Sequence, residues 1–271
     1  MDTFTLQNET LRLEFDRTTG ALVGLSALPS GWPILDRPNL GLSFRLLVPL
    51  ASDDPLDVDF AARMGRPQPS RRNNAVYGEK QTLSDLQIAP DGTGAIFTWD
   101  NVVSEPGGPL PIKVVLTVTL SARQAVYTVK IENRSPHIVE NVYCPYLGDV
   151  HHPTDAAWFK SFIYSYASAA EWRLWPHYDN LRGYYGVDYP TQFASWAPAT
   201  GAPMSPFFLM RGETQGLYAG VHSPSSELVA WHTELRPGYG SSIDSRVDPN
   251  AALRFAAVHL PYVQPGETRA L

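Results

Sequence analysis

The chain has 271 residues, of which 44% are hydrophobic and 18% charged, with a formal net charge of −6. That length suffices for one large domain that buries roughly 75% of its unfolded surface without staples. The acidic balance argues against nucleic acid as a partner, because phosphate neutralisation needs clustered Lys and Arg. Cys144 is the lone cysteine, which excludes an intramolecular disulfide and a cysteine-based zinc site. The N-terminus "MDTFTLQNE" has neither a basic n-region nor an apolar h-region, and no apolar run approaches the ~18 residues of a membrane span. The expectation is therefore a cytoplasmic protein with no membrane association.

The hydrophobic period is two almost throughout. "TLRLEF" (10–15) puts Leu11, Leu13 and Phe15 on one face and Arg12 and Glu14 on the other. "DRTTG" is a turn, and "ALVGLS" (21–26) resumes the alternation with Leu22 off-phase, which reads as a β-hairpin closed by glycine. Residues 51–75 look like a long excursion with a single helical turn in it. "GAIFTWDNV" (94–102) is a strand, followed by the pair "PIKVVLTVTL" (111–120) and "AVYTVKIEN" (125–133) joined by "SARQ". Residues 155–175 could hold a short helix, against their β-branched and aromatic content. Later strands are expected at 205–211, 216–223, 227–235 and 252–263, each bounded by turn residues. The 24 Pro and 20 Gly fit an architecture of many turns and edges. The expected fold is all-β, stacked antiparallel sheets with few short helices, in a single domain spanning 1–271.

Three segments carry a resemblance. "LRLEFDRTTGALVGLS" resembles the opening hairpin of galactose-mutarotase-like β-supersandwich domains. "VVLTVTLSARQAVYTVKIENRSPHIVENVYCPYLGDV" is similar to their middle, and "GLYAGVHS" with "LPYVQPGET" resembles their closing part. The likeness is nearest to the supersandwich that precedes the catalytic barrel in multidomain glycoside hydrolases. It implies a carbohydrate-active protein. The patterned histidines and late glutamate of true aldose mutarotases have no counterpart here; "DVHHP" (149–153) and "GVHS" (220–223) lack the flanking Asn and Gly. After "PGE" a further strand is expected, with only "TRAL" left to form it. In the resembling enzymes that strand leads into the barrel, so a downstream catalytic domain is the expected partner.

The densest chemistry lies in "EWRLWPHYDNLRGYYGVDYP" (171–190). Trp172, Trp175, Tyr178, Tyr184, Tyr185 and Tyr189 offer ring faces for the axial C–H groups of a sugar, and His177, Asp179, Arg182 and Asp188 offer directed hydrogen bonds. One ring covering half a pyranose removes ~60 Å² from water, on the order of 1.5 kcal/mol. The same composition suits an interface with another domain or a core segment. Asp179 and Asp188 flank one loop, as a carboxylate pair for glycoside hydrolysis would.

Other candidates are weaker. His151 and His152 with Asp155 have no metal-ligand spacing, since neighbours on an extended chain point to opposite faces; no metal or cofactor is expected, and a surface turn is the default. His222, His232, Glu234 and His259 fall in the late strands, and His232 and Glu234 share a parity that suits acid/base work. "RRNN" (71–74) reads as a polar rim or a solvated loop. Three functions stay open: a non-catalytic glycoside-hydrolase domain that supports the barrel and contacts sugar, a stand-alone mutarotase-like epimerase or lyase, and a carbohydrate-binding module.

Overall fold

The computed structural model describes residues 1–53, 71–151, 153, 159–164, 169–175, 207–211, 213–222, 229–236 and 252–271. In chain order the strands are β1 (Thr3–Gln7), β2 (Leu11–Asp16), β3 (Leu22–Ala27), β4 (Trp32–Leu35), β5 (Arg45–Leu47), β6 (Leu50–Ala51), β7 (Arg71–Arg72) and β8 (Ala75–Tyr77). They continue as β9 (Asp85–Ile88), β10 (Gly94–Asp100), β11 (Val103–Ser104), β12 (Gly108–Pro109), β13 (Ile112–Ser121), β14 (Gln124–Asn133) and β15 (Asn141–Leu147). The rest are β16 (Phe159–Tyr164), β17 (Ala169–Trp175), β18 (Phe207–Arg211), β19 (Gly216–Gly220), β20 (Val229–Arg236), β21 (Ala252–His259) and β22 (Thr268–Ala270). Among the described residues the only helical pieces are two 3₁₀ turns, η1 (Pro38–Leu40) and η2 (Gly78–Lys80). None of the described helices is long and apolar enough to cross a membrane.

Among the described residues the pairings are antiparallel and build an all-β fold from four larger sheets and two short ribbons. The sheets run β1-β2-β3-β4, β22-β14-β13-β10-β9, β20-β21-β15-β5-β8 and β17-β16-β18-β19. The alternation in "IKVVLTVTLS" is the reason β13 is a strand with one wet face: Ile112, Val114, Leu116, Val118 and Leu120 are all buried, and the residues between them are not. Each such side chain contributes about 2 kcal/mol by leaving water. β10 adds Phe97 and Trp99 to the same layer, β1 and β2 add Phe4 and Phe15, and Phe44 enters from the lead-in to β5. Phe15 and Phe97 meet at 5.0 Å between ring centroids, and Phe44 meets Trp99 edge-on at 4.9 Å. Three sheets thus share one aromatic core. The Trp99 indole donates to the Thr19 carbonyl at 3.1 Å, so even its polar edge is used.

Several expectations change at this level. Within 155–175 the described residues are the antiparallel strands β16 and β17, with no short helix; β-branched and aromatic content prevails, as pleated packing favours. Most of 51–75 lies outside the described residues, and its two described ends pair with each other as β6 and β7. The off-phase Leu22 has a physical cause: the β2–β3 register shifts between Glu14 and Phe15. "TRAL" does form a strand, β22, which hydrogen-bonds to β14.

β15 is the middle strand of the sheet β20-β21-β15-β5-β8, and the chain leaves it through Gly148. A methyl group on Gly148 would collide with the Leu40 carbonyl and come within 3.0 Å of Leu42 Cγ. Because the first of these neighbours is backbone, the clash cannot be relieved by a rotamer change. Gly148→Ala is therefore expected to lower stability by about 3 kcal/mol, read from the urea midpoint at constant m-value. A loss below ~0.5 kcal/mol would show that this exit is not packed as described.

Candidate functional site

On a regular strand Tyr143 and Tyr146, three residues apart, would point to opposite faces. In β15 the register against β21 shifts between them, and both rings lie on the outer face of the central sheet. Val142, Cys144 and Leu147 belong to the main core on the other face. The Cys144–Pro145 peptide within this stretch is cis. The two tyrosines, Leu42, Ala256 and Val258 make a second buried cluster, flanked by Leu260.

That cluster carries polar chemistry across the sheet. Arg45 of β5 stands opposite Tyr77 of β8 on one side and Tyr143 of β15 on the other. Its guanidinium lies 5.4 Å from the Tyr77 centroid and 5.1 Å from that of Tyr143, and the residue is 2% exposed. Lys80 covers Tyr77 as well, at 4.8 Å. Such contacts contribute about 1–2 kcal/mol when desolvated. On β20, His232 is 1% exposed and meets Tyr143 and Tyr146 edge-on, at 5.5 and 5.7 Å. The small side chain of Ala256 explains how rings from β15 and β20 can touch with β21 between them. Ala256 is the register partner of both Tyr146 and His232, and the rings close over its methyl group.

A buried carboxyl group lies in the turn after β8. Glu79 sits in η2 directly after β8. Burial pushes its carboxyl above the ordinary range, opposed by its own backbone hydrogen bond and by Arg254, Lys80 and Arg45. Its Oε2 atom is buried with no hydrogen-bond partner among the described residues.

A second polar cluster closes the far end of β15. The Arg37 guanidinium grips both oxygens of Asp149, with Nε to Oδ2 at 2.6 Å. His151 Nε2 lies 2.9 Å from Asp149 Oδ2 and 2.9 Å from Asp36 Oδ1. Burial alone would raise the Asp149 carboxyl, but the bonds from His151 and Arg37 win and hold it below its ordinary range. The bond to Asp149 holds His151 above the ordinary imidazole value, against burial. Asp36, Asp149 and His151 could in principle ligate a cation, yet Arg37 already occupies the buried carboxylate. The arrangement works as an ion-pair latch.

The residues singled out from the sequence are distributed as follows. Trp172 and Trp175 are on β17, with Ser161 and Phe159 as register partners. His177, Tyr178, Asp179, Arg182, Tyr184, Tyr185, Asp188 and Tyr189 lie outside the described residues, as do His152 and Asp155. His232 joins the outer-face row, and Glu234 follows it on β20 opposite Arg254. His259 is a buried structural residue: its Nε2 is 3.3 Å from the Cys144 carbonyl, and burial holds it below the ordinary imidazole range. His222 is exposed beyond the end of β19. "RRNN" is not a solvated loop, since Arg71 pairs with Glu140 and Asn74 is fully buried.

Arg45, Tyr77, Glu79, Tyr143 and Tyr146 were not anticipated. A signal existed for Arg45, a single charge inside the apolar run "FRLLV". None existed for the tyrosine pair, because the register shift hides their shared face.

No family model and no curated protein matches the chain. Among solved structures it is similar to a galactose mutarotase-like protein from Lactobacillus casei ATCC 334, at 12% identity and a TM-score of 0.48, over 100% of this chain and 98% of that one. It is also similar to a candidate aldose 1-epimerase from Escherichia coli K12, at 13% identity and a TM-score of 0.42, over 99% and 96% of the two chains. A polysaccharide lyase is similar at 10% identity and a TM-score of 0.34, over 97% of this chain and 31% of that one.

The latch has a defined pH signature. His151 is raised, so its contribution is full below the ordinary imidazole pKa and is lost as pH rises through the raised value. Asp149 is lowered, so its contribution is full above the ordinary carboxylate pKa and is lost as pH falls through the lowered value. The melting-temperature gap between the wild type and His151→Ala should be widest near pH ~5 and shrink on both sides. A gap independent of pH between ~4 and ~9 would show that the latch carries no charge-dependent stability.

Proposed function

We propose that the chain is a carbohydrate-active protein that acts on a sugar ring by proton transfer, on the outer face of the central sheet, with His232 as one proton carrier. One arrangement supports this reading: His232, Tyr143, Tyr146 and Arg45 are gathered in a buried row on a single sheet face. A guanidinium and an imidazole buried together are costly to desolvate, and such groups gather at functional sites more often than elsewhere. Tyrosine rings present apolar faces to sugar C–H groups and hydroxyls to sugar oxygens. Arg45, fixed between two rings, supplies positive charge where an oxygen gains negative charge, with no reorganisation at the moment of reaction.

Opening a cyclic hemiacetal breaks the ring C–O bond, takes a proton from the anomeric hydroxyl and delivers one to the ring oxygen. Closure on the other face of the carbonyl returns both. The chemistry balances without a cofactor and needs two proton carriers. Residues 171–190 and a downstream catalytic domain belong to the alternative reading of a supporting glycoside-hydrolase domain, in which this face binds sugar without turnover.

The deciding measurement follows anomer exchange by NMR in freshly dissolved α-D-galactose and α-D-glucose. The wild type should accelerate exchange of at least one sugar, and His232→Gln should cut the rate by about 10²-fold or more while the protein stays folded. A wild type no faster than buffer with either sugar would overturn the catalytic reading in favour of the supporting domain.

A further inference from the structure

We propose that two copies of this chain associate face to face through the outer surface of the sheet β22-β14-β13-β10-β9, about a two-fold axis along β13 that seats Val126 of each copy over Gly94 of the other. The inference concerns a different sheet from the sugar-ring reading and is independent of it.

The alternation that buries one face of this sheet leaves the other open, and the register gives its rows. Ile96, Thr117 and Thr128 stand in one row, and Gly94, Thr119 and Val126 in the next. These positions are uncharged and mostly β-branched, and Ile96 and Val126 are 38% and 44% exposed. Charges collect toward the rim and balance, with Asp85, Asp100 and Glu132 set against Lys113, Lys130 and Arg134. Lys130 lies 3.1 Å from Glu132, and Arg134 pairs with Asp100. The face is therefore close to neutral although the chain carries −6. Two copies meet here without the repulsion that their net charge brings elsewhere.

The size is that of an interface between subunits. β13 and β14 each have ten residues, which makes them about 33 Å long, and five strands ~4.8 Å apart span about 24 Å. Even trimmed by the short edge strands, such a face is on the order of the ~800 Å² that each partner gives to a stable interface.

The shape is self-complementary. Gly94 leaves a hollow of about 370 Å³ in the face, bordered by Gln87, Ile96, Thr117 and Thr119. The single chain does not need glycine there: a methyl group would find its nearest neighbour, the Val118 carbonyl, at an ordinary 3.4 Å. A strand glycine with room above it marks a place where another chain comes close. Val126 stands two strands away in the same row, with Thr119 between them. Rotation about an axis along β13 exchanges β10 with β14, so each Val126 lands on the other copy's Gly94 and the contact is made twice. The same rotation lays Ile96 against Thr128, and Asp100 with its Arg134 against Glu132 with its Lys130.

Sedimentation velocity of the full chain between about 1 and about 100 µM should show two-chain particles that dissociate on dilution. Val126→Lys sets a charge over the hollow and Gly94→Val fills it. Each should raise the dissociation constant by about 10²-fold while melting close to the wild type, since both side chains face outward in the single chain. Combining Gly94→Val with Val126→Gly moves the knob to β10 and the hollow to β14, and should regain about 10-fold or more of that loss. A one-chain mass at every concentration would overturn the proposal, as would a dimer that neither single variant weakens. A double variant no tighter than Gly94→Val alone would overturn the pairing of Val126 with Gly94 and with it the axis.

Discussion

β15 must bury both of its faces, and the rest of the molecule is arranged around that constraint. It is hydrogen-bonded to β21 on one side and to β5 on the other. Its Val142, Cys144 and Leu147 fill the core shared by three sheets, while Tyr143 and Tyr146 fill the cluster beneath His232. A perfectly alternating strand would give the outer face one tyrosine. The register shift gives it two, and the rings are adjacent because the pleat is interrupted there.

This explains what could be read from the sequence and what could not. Strands whose faces differ in wetness announce themselves: β13 and β14 alternate cleanly because one side meets water and the other meets Phe97 and Trp99. β5, β8 and β15 are different. They belong to a sheet covered on both faces, where alternation fades into continuous apolar runs such as "VYCPYL". The parity of His232 and Glu234 drew attention to β20, where His232 is buried against two tyrosine rings. It could not point to the ring partners of His232, which come from β15, 86 and 89 residues earlier in the chain, and meet it only through sheet order. The aromatic-rich stretch at 171–190 drew attention by density alone, and density says nothing about which rings share a face.

The energetic division between the two faces is also clear. On the core side, aromatic and aliphatic groups leave water at little polar cost: the Trp99 indole is satisfied by Thr19, and Trp32 Nε1 is left without a hydrogen-bond partner among the described residues. On the outer side, Arg45, His232 and Glu79 are withdrawn from water together. The cation–π contacts recover about 1–2 kcal/mol of what their desolvation costs. Burial raises the Glu79 carboxyl against the pull of Arg254, Lys80 and Arg45. The same strands turn their other face to the main apolar core, whose burial offsets this cost.

The latch at the end of β15 belongs to the same logic. Tyr143 and Tyr146 can hold His232 between them only if the strand that carries them cannot slide, and a register-shifted strand is less firmly held by its own ladder than a regular one. Beyond Leu147 the chain is fixed at three successive points: Gly148 against Leu40, Asp149 gripped by Arg37, and His151, whose backbone donates to Ile34 while its ring bridges Asp36 and Asp149. All of these partners come from the turn region around β4 and η1, the same corner that leads into Leu42 and Arg45. One short corner of chain therefore anchors the exit of β15 and supplies the guanidinium that faces its first tyrosine, so the geometry of the row and the stability of the strand beneath it are set by the same contacts.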